Sequence, residues 1–211
     1  MRSALLVFLM SLATYAPAAE FFVLPDSNTL LVLGETKTTD VEEINRYVAE
    51  RQIDSLILKG PGGSLDAGYA IASIVLERGL STTVPENTDC ASACSLIFSA
   101  GKIRTMENGS RLGFHLPFAV LSTSTIDSYC DAIVPPSQAA NAFADFYKNN
   151  TPDCLMFTYQ RGLKDIRVLS RILDRDGISE TVLDLIIDTP SGDMAWVDVS
   201  QAMEFGLVPP L

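Results

Sequence analysis

The run Ser55-Leu-Ile-Leu-Lys-Gly-Pro-Gly-Gly-Ser64 joins a short apolar segment to a glycine-rich turn. A continuous apolar segment of this length is typical of a strand buried on both faces of a parallel sheet. After the turn, Ala67, Ile71 and Val75 recur on one helical face as far as Leu80. The stretch therefore predicts a strand, a tight turn and an amphipathic helix, which together form a crossover unit of an α/β fold.

The same alternation of strands and helices continues on both sides of this unit. A capping box of Thr39 and Glu42 predicts that a helix begins at Thr39. Further strands are predicted at 21–24, 30–33, 81–84 and 112–114, helices at 93–100, 157–174 and 180–188, and a last unit at 196–208. The pattern predicts a single α/β domain.

The chain contains one histidine, His115, which follows the strand predicted at 112–114. Imidazole is the side chain whose ordinary titration suits a general base near neutral pH. Ser92 lies earlier, in Cys90-Ala-Ser-Ala-Cys94, where a loop enters a predicted helix. If the two side chains meet, they supply the nucleophile and the base of a serine hydrolase.

Acyl transfer also needs oxyanion donors and a group that orients the base. The Ala93 N–H lies at the start of a predicted helix, and the Gly63 N–H lies in the glycine turn, so both are candidate donors. Asp193 is the candidate orienting carboxylate, ahead of Asp188 and Asp198. Taken singly, each of these residues has an ordinary structural explanation as a cap, a turn or a loop residue.

Several segments occur in the same order as in a known family. They are Pro61-Gly-Gly-Ser64 with Ala67-Gly68 and Ala70-Ile71, Ala91-Ser92 with 96–101, Ser110-Arg111, His115 with Pro117, and 202–208. Their order, more than any one of them, makes the match specific. In these segments the chain resembles the proteolytic subunit of the Clp protease, which belongs to the Clp-protease/crotonase superfamily. Together with the N-terminal residues discussed below, the resemblance implies an exported, periplasmic branch of that superfamily.

This resemblance implies both a fold and a site. The implied fold is a single-domain spiral of ββα units whose strands form two nearly perpendicular sheets. Position by position, Ser92 falls on the family's nucleophile and His115 on its base. The Gly63 and Ala93 amides fall on its oxyanion hole. The family's relatives form trimers or rings, so the resemblance also implies a homo-oligomer.

The third group of the triad is where this sequence departs from the family. The family's aspartate falls on Met194, one residue after Asp193. A one-residue shift can be absorbed in a loop, whereas in a strand it turns the side chain to the opposite face. This departure supports a second hypothesis, an exported binding or assembly module with a decayed triad. A crotonase-like acyl-CoA enzyme and a serine–lysine dyad with Lys59 or Lys102 are further alternatives.

The N-terminal residues 1–18 are expected to be a signal peptide. Arg2 precedes the apolar run 4–13, which is too short to cross a bilayer, and Ala16-Pro-Ala18 offers the small residues that signal peptidase reads. The expected mature domain is 19–211, secreted or periplasmic, without stable membrane insertion. Within it, residues 118–156 break the α/β pattern and are expected to form an inserted arm.

The four cysteines suit the oxidising compartment that export implies. Cys90, Cys94, Cys130 and Cys154 allow three pairings, which the sequence alone does not distinguish. The favoured pairing is Cys90–Cys94 with Cys130–Cys154, because the second bond would staple the arm. A metal site is a weak rival, since the chain has one histidine and no Cys-x-x-Cys pair.

The net charge of the chain disfavours some classes of binding partner. Twenty-six acidic and fifteen basic side chains give a formal net charge of −11, which disfavours nucleic acid and anionic lipid surfaces. The leading hypothesis is an exported serine hydrolase of the peptidase type. It would need no metal or organic cofactor and would act on peptides or unfolded protein without an ATP-driven unfoldase.

Overall fold

A computed structural model describes residues 19–116, 151–174 and 177–209, with the backbone alone between 151 and 161. This part of the chain forms eight strands and six helices. The strands are β1 (Glu20–Val23), β2 (Thr29–Thr36), β3 (Ser55–Gly63), β4 (Ser81–Val84), β5 (Asp89–Ala91), β6 (Arg104–Met106), β7 (Arg111–Phe114) and β8 (Ala195–Asp198). The helices are α1 (Thr38–Arg51), α2 (Leu65–Arg78), α3 (Ala93–Ser99), α4 (Thr151–Leu173), α5 (Thr181–Asp188) and α6 (Val199–Glu204).

The long strand β3 belongs to two branches of the sheet. Its first residues, Ser55–Ile57, pair in parallel with β4, whereas Gly60 pairs in parallel with Cys90 of β5. The first branch has the order β1-β2-β3-β4-β6, and the second has the order β3-β5-β7-β8. A Cβ on Gly60 would lie 2.1 Å from the Gly34 carbonyl oxygen of β2. Only glycine therefore allows β3 to run this close to β2 where the strand passes from one branch to the other.

After α1 the chain passes repeatedly from the first branch to the second. β4 and β5 take one strand position in each branch and lead into α3, and β6 and β7 take the next position in each branch. β3 spans both branches and leads into α2. This strand–strand–helix order is the spiral that the resemblance implies.

Helix α2 packs against α3 through small residues. The Ser64 hydroxyl accepts the Ala67 N–H at 3.3 Å and caps the helix, and Gly79 ends it at a φ of +63°. A Cβ on Gly68 would lie 3.0 Å from the Ala93 Cβ, so the two helices approach closely at the start of α3. This contact braces the turn that contains Ser92.

One local expectation is corrected, the cap of the first helix. Helix α1 begins at Thr38, and the Asp40 carboxylate, not Glu42, reaches back to the Lys37 N–H at 2.6 Å. The short strands β5 and β6 were not predicted. The expected arm, 118–156, lies outside the described residues except for 151–156, which form the first turns of α4. Among the helices that the structure describes, none is long and apolar enough to cross a membrane.

Candidate active site

Ser92 occupies a tight turn between strand β5 and helix α3. Its backbone has a φ of +55° and a ψ of −121°, which is unusual for a residue with a side chain. Such a conformation costs about 1–3 kcal/mol and persists only where its surroundings impose it. Here the Ser92 N–H donates to the Gly113 carbonyl of β7 at 2.8 Å. The nucleophile candidate is thus held on a strained strand-to-helix turn, which is the arrangement of a nucleophile elbow.

His115 contacts Ser92 directly. Its Nε2 lies 2.8 Å from the Ser92 Oγ, and its Nδ1 lies 2.9 Å from the Leu116 carbonyl oxygen. A carbonyl oxygen only accepts, so Nδ1 must carry the proton and Nε2 must be the acceptor for the serine hydroxyl. Both contacts therefore favour the one neutral tautomer that can take a proton from Ser92.

The glycine turn at the end of β3 lies against the Ser92 turn. A Cβ on Gly62, whose φ is +92°, would lie 2.6 Å from both the Ala91 carbonyl oxygen and the Ser92 Cβ. The turn therefore requires glycine at this position, both for its backbone conformation and for the close approach. The sequence pattern singled out Gly63 as a donor and gave no role to Gly62.

The Gly63 amide lies in the glycine turn at the end of β3. The Ser64 N–H donates to the Thr36 carbonyl at 2.8 Å, which ties this turn to β2. Gly62 and Gly63 have φ angles of +92° and +142°, so the backbone departs here from regular strand geometry. Ala93 is the first residue of α3, where helical N–H groups have no partner within the helix. Ala93 follows Ser92 directly, and the glycine turn lies against the Ser92 turn, so both amides stay candidates for an oxyanion hole.

A disulfide joins the two ends of the Ser92 turn. Cys90 and Cys94 are bonded, and both are buried. The predicted Cys90–Cys94 pairing is confirmed. The second predicted disulfide, Cys130–Cys154, stays a prediction, because Cys130 and the side chain of Cys154 lie outside the described residues. The bond ties the last strand residues before Ser92 to the first turn of the helix after it.

Asp193 and His115 are not joined by a hydrogen bond within the part of the chain that the structure describes. β7 and β8 are antiparallel, with Gly113 opposite Trp196 and Phe114 opposite Ala195. Continuing this register brings Met194, the position of the family's aspartate, opposite His115. Met194 also covers Gly113, because a Cβ there would lie 2.7 Å from the Met194 Sδ. The Met194 side chain thus lies against Gly113, two residues before His115, at the position where the resemblance implies a carboxylate.

The other two candidate carboxylates have different surroundings. Asp198 accepts the Gln201 N–H at 2.9 Å and caps α6, and Asp188 is exposed in the last turn of α5. Asp193 is also exposed, in the turn before β8. The hydrogen-bond partner of His115 Nδ1 is the backbone carbonyl of Leu116, and not a side chain.

A small cleft opens beside the Ser92–His115 pair. Its walls are five apolar side chains and the two polar ones, namely Leu65, Leu96, Phe114, Leu169, Ile186, Ser92 and His115. The walls are mostly apolar, and the cleft has room for little more than a water molecule.

The strands that carry Ser92 and His115 are also joined by charge. Arg111 of β7 lies opposite Asp89 of β5, and its guanidinium donates to both carboxylate oxygens at 2.9 and 2.7 Å. These hydrogen bonds hold the pKa of Asp89 below its ordinary value. Arg111 also stacks on Trp196 at 4.5 Å from the ring centre. The exposed pair contributes little stability, but it agrees with the β5–β7 register.

Neither lysine candidate lines the Ser92 cleft. Lys102 lines a separate cleft together with Met203 and Glu204, and Lys59 is exposed on β3. Within the described ranges, no three His, Cys, Asp or Glu side chains form a group that could hold a metal ion. The geometry thus singles out His115 as the base candidate.

Comparison with known proteins supports the fold. No family model and no curated protein matches the chain. Two solved structures of the 1510-N membrane-bound stomatin-specific protease are similar. The first is a lysine-to-alanine variant in complex with a substrate peptide, with a TM-score of 0.54 and 17% identity over 85% of this chain and 71% of that one. The second is a serine-to-alanine variant, with a TM-score of 0.53 and 14% identity over 85% and 75% of the two chains.

At these identities the likeness concerns the fold alone. Together with the topology, it confirms the predicted α/β fold of the Clp-protease/crotonase type. A shared fold does not determine activity, so the likeness to these proteases assigns no function to this chain.

Proposed function

We propose that this chain is a serine peptidase in which Ser92 is the nucleophile and His115 the general base. The observation that carries the proposal is the 2.8 Å contact between His115 Nε2 and Ser92 Oγ, with Nδ1 bonded to a carbonyl. That arrangement leaves the Nε2 lone pair free to accept the serine proton. The fold agrees, because the similar structures are proteases.

The chemistry follows the order of any serine acyl transfer. Ser92 Oγ attacks the scissile carbonyl as its proton passes to His115 Nε2. The imidazolium then gives the proton to the leaving amine, the C–N bond breaks, and an acyl-enzyme forms. Water, deprotonated by the same nitrogen, attacks the ester carbonyl, the bond to Ser92 Oγ breaks, and the imidazolium returns the proton to Oγ. The amides of Gly63 and Ala93 stabilise the oxyanion in both steps.

The third group is a neutral carbonyl in place of a carboxylate. The Leu116 carbonyl fixes the tautomer, but it carries no full charge to stabilise the imidazolium. We therefore expect slower turnover than a complete triad gives, with tautomer selection retained. Asp193 as the orienting group remains a prediction without a hydrogen bond to support it.

The substrate we propose is a peptide or unfolded segment with an apolar residue on the acyl side of the cleaved bond. The apolar lining beside Ser92 suits such a residue, and the cleft must widen on binding to admit it. One of the similar proteases binds a substrate peptide. No metal or organic cofactor enters the mechanism.

Export is part of the proposal. Residues 1–18 have the features of a signal peptide, and the Cys90–Cys94 disulfide suits an oxidising compartment. In such a compartment the peptidase acts without an ATP-driven partner. Assembly as a homo-oligomer is proposed from the analogy of the fold alone.

One observation favours a second candidate, a binding or assembly module without catalysis. Met194, not a carboxylate, lies opposite His115 by strand register. A triad that has lost its carboxylate would have such a replacement at this position. The Ser92–His115 hydrogen bond argues against it, because a site free of selection for proton transfer has no need to keep this contact.

Hydrolysis of fluorogenic peptides tests the proposal. The panel contains leucine or aspartate on the acyl side of the cleaved bond, and the enzymes are the oxidised wild type, Ser92→Ala and Ser73→Ala. Ser73 is an exposed serine of α2 whose hydroxyl bonds within its own helix. We expect the wild type and Ser73→Ala to cleave the leucine peptides preferentially, and Ser92→Ala to be inactive. Cleavage that persists in Ser92→Ala, or a folded wild type that cleaves no member of the panel, would contradict the proposal.

A further inference from the structure

Ser95 joins the two strands that carry the reacting residues. It is the third residue of α3, and its side chain is 0% exposed. Its hydroxyl lies 2.6 Å from the Cys90 carbonyl oxygen and 2.8 Å from the Gly113 carbonyl oxygen, and it accepts the Gly113 N–H at 3.2 Å. A hydroxyl has one proton, so Ser95 shares it between the two carbonyl oxygens, while one of its lone pairs accepts the Gly113 N–H.

The Ser95 hydroxyl bridges two backbone positions, each of which lies shortly before a reacting residue. Cys90 lies in β5 two residues before Ser92, and Gly113 lies in β7 two residues before His115. The Ser95 hydroxyl therefore bridges the chain at the same offset ahead of the nucleophile and ahead of the base. The Gly113 carbonyl also accepts the Ser92 N–H, so the bridge and the strained turn share an atom.

Removal of this hydroxyl would take the hydrogen bond from the Gly113 N–H. Cys90, Ser95 and Gly113 are all buried, so water has little access to replace it. Buried polar groups without partners are costly, so the strands would shift to recover them. The distance between Ser92 Oγ and His115 Nε2 is set by this strand spacing, and proton transfer is sensitive to small displacements.

We propose that Ser95 is a positioning residue, which sets the hydrogen bond between Ser92 and His115 without touching the substrate. The inference rests on the proposed peptidase function. The chain offers a matched control in Ser99, a second serine of α3 that is also 0% exposed. The Ser99 hydroxyl donates to the Ser95 carbonyl at 2.8 Å, within its own helix, and bridges no strands.

Two measurements on oxidised protein without a polyhistidine tag test the proposal. One is the second-order rate of acylation by a fluorophosphonate. The other is the ¹⁵N chemical shifts of the His115 ring, which report its tautomer and hydrogen bonding, and which are unambiguous because the chain has one histidine. We expect Ser95→Ala to react at least about tenfold more slowly and to shift the ring nitrogens. Ser99→Ala should react within about twofold of wild type and leave the shifts unchanged.

Wild-type rates and shifts in folded Ser95→Ala would overturn the proposal, as would equal losses in Ser95→Ala and Ser99→Ala. If the wild type is not acylated, the peptidase function fails, and the ring shifts alone decide the role of Ser95. If Ser95→Ala does not fold, Ser95→Thr is measured, because it keeps the hydroxyl. Wild-type rate and shifts in Ser95→Thr support the bridge, and a loss of either in the folded variant overturns it.

Discussion

The Oγ of Ser92 and the Nε2 of His115 lie 2.8 Å apart, although 23 residues separate them in the chain. The register of two short parallel strands produces this contact, since Ala91 of β5 lies opposite Gly113 of β7. Parallel strands end at the same edge of a sheet, so the residues that follow them emerge side by side. Each feature that fixes these two strand ends is therefore a place where substitution should affect the site.

Gly62→Ala should remove activity and lower stability. The added Cβ would lie 2.6 Å from the Ser92 Cβ, and the φ of +92° is unfavourable for alanine. We expect a loss of about 2–4 kcal/mol in the free energy of unfolding, measured by urea denaturation, and no detectable peptide hydrolysis.

The matched control is Gly192→Ala. No heavy atom of the described chain lies within 4 Å of a Cβ at Gly192, so the change in stability should stay within about 0.5 kcal/mol. Equal behaviour of the two glycine variants would show that the glycine turn does not press against the nucleophile.

Met194→Asp should increase the rate of acylation. The register of β7 and β8 brings residue 194 opposite His115, where a carboxylate can stabilise the imidazolium. We expect a gain of about tenfold in the fluorophosphonate rate. Asp193→Asn should leave that rate within about twofold of wild type, because Asp193 makes no hydrogen bond to His115 within the described part of the chain. A large loss in Asp193→Asn would instead identify Asp193 as the orienting group.

Replacing both Cys90 and Cys94 with alanine should loosen the Ser92 turn. On the chain-entropy model, a loop this short contributes about 2 kcal/mol. We expect a stability loss of that order and a slower fluorophosphonate reaction under oxidising conditions. Mass spectrometry of the peptide spanning both cysteines, before and after reduction, checks the bond. A peptide that already carries two free thiols in the oxidised protein would contradict the assigned disulfide.

Asp40 should make stability fall as pH rises. Burial raises its pKa, against the opposing effects of the Lys37 N–H and the Thr39 hydroxyl. Between the ordinary pKa and the raised one, the folded chain holds a proton that the unfolded chain has lost. Stability from this group is therefore complete below the ordinary pKa and declines as pH rises through the raised pKa.

Asp40→Asn tests the sign of this effect, because asparagine keeps an acceptor for the Lys37 N–H but does not ionise. The free energy of unfolding of the variant, relative to wild type, should rise with pH from about 3 to about 8, measured in urea. A difference that falls over this range would mean that the ionised carboxylate stabilises the cap.

The sequence predicted the elements that depend on strong local patterns. The strand and glycine turn from Ser55 to Ser64, the helix after them and the short helix from Ala93 follow from apolar periodicity and glycine. The residues of the β5–β6 region gave no such signal. β5 is only three residues, Asp-Cys-Ala, and it exists because it pairs with β3 and β7. Pairing between distant segments is not encoded in any one of them.

The site was predictable where it depended on side-chain identity. The single histidine and the turn serine were candidates by their chemistry, and the order of the family-like segments assigned them as base and nucleophile; their side chains are in contact. The hydrogen bond of His115 Nδ1 could not be predicted, because its partner is the Leu116 carbonyl, and every residue has a carbonyl. Ser95 gave no signal either, since a serine inside a helix usually bonds its own helix, as Ser99 does.

The most direct test of the central claim is fluorophosphonate labelling of the oxidised, folded protein, with the modified residue located by peptide mass spectrometry. The account predicts a single label on Ser92 in the wild type and no label in Ser92→Ala or His115→Ala. A folded wild type that stays unlabelled, or one labelled at another serine, would contradict it.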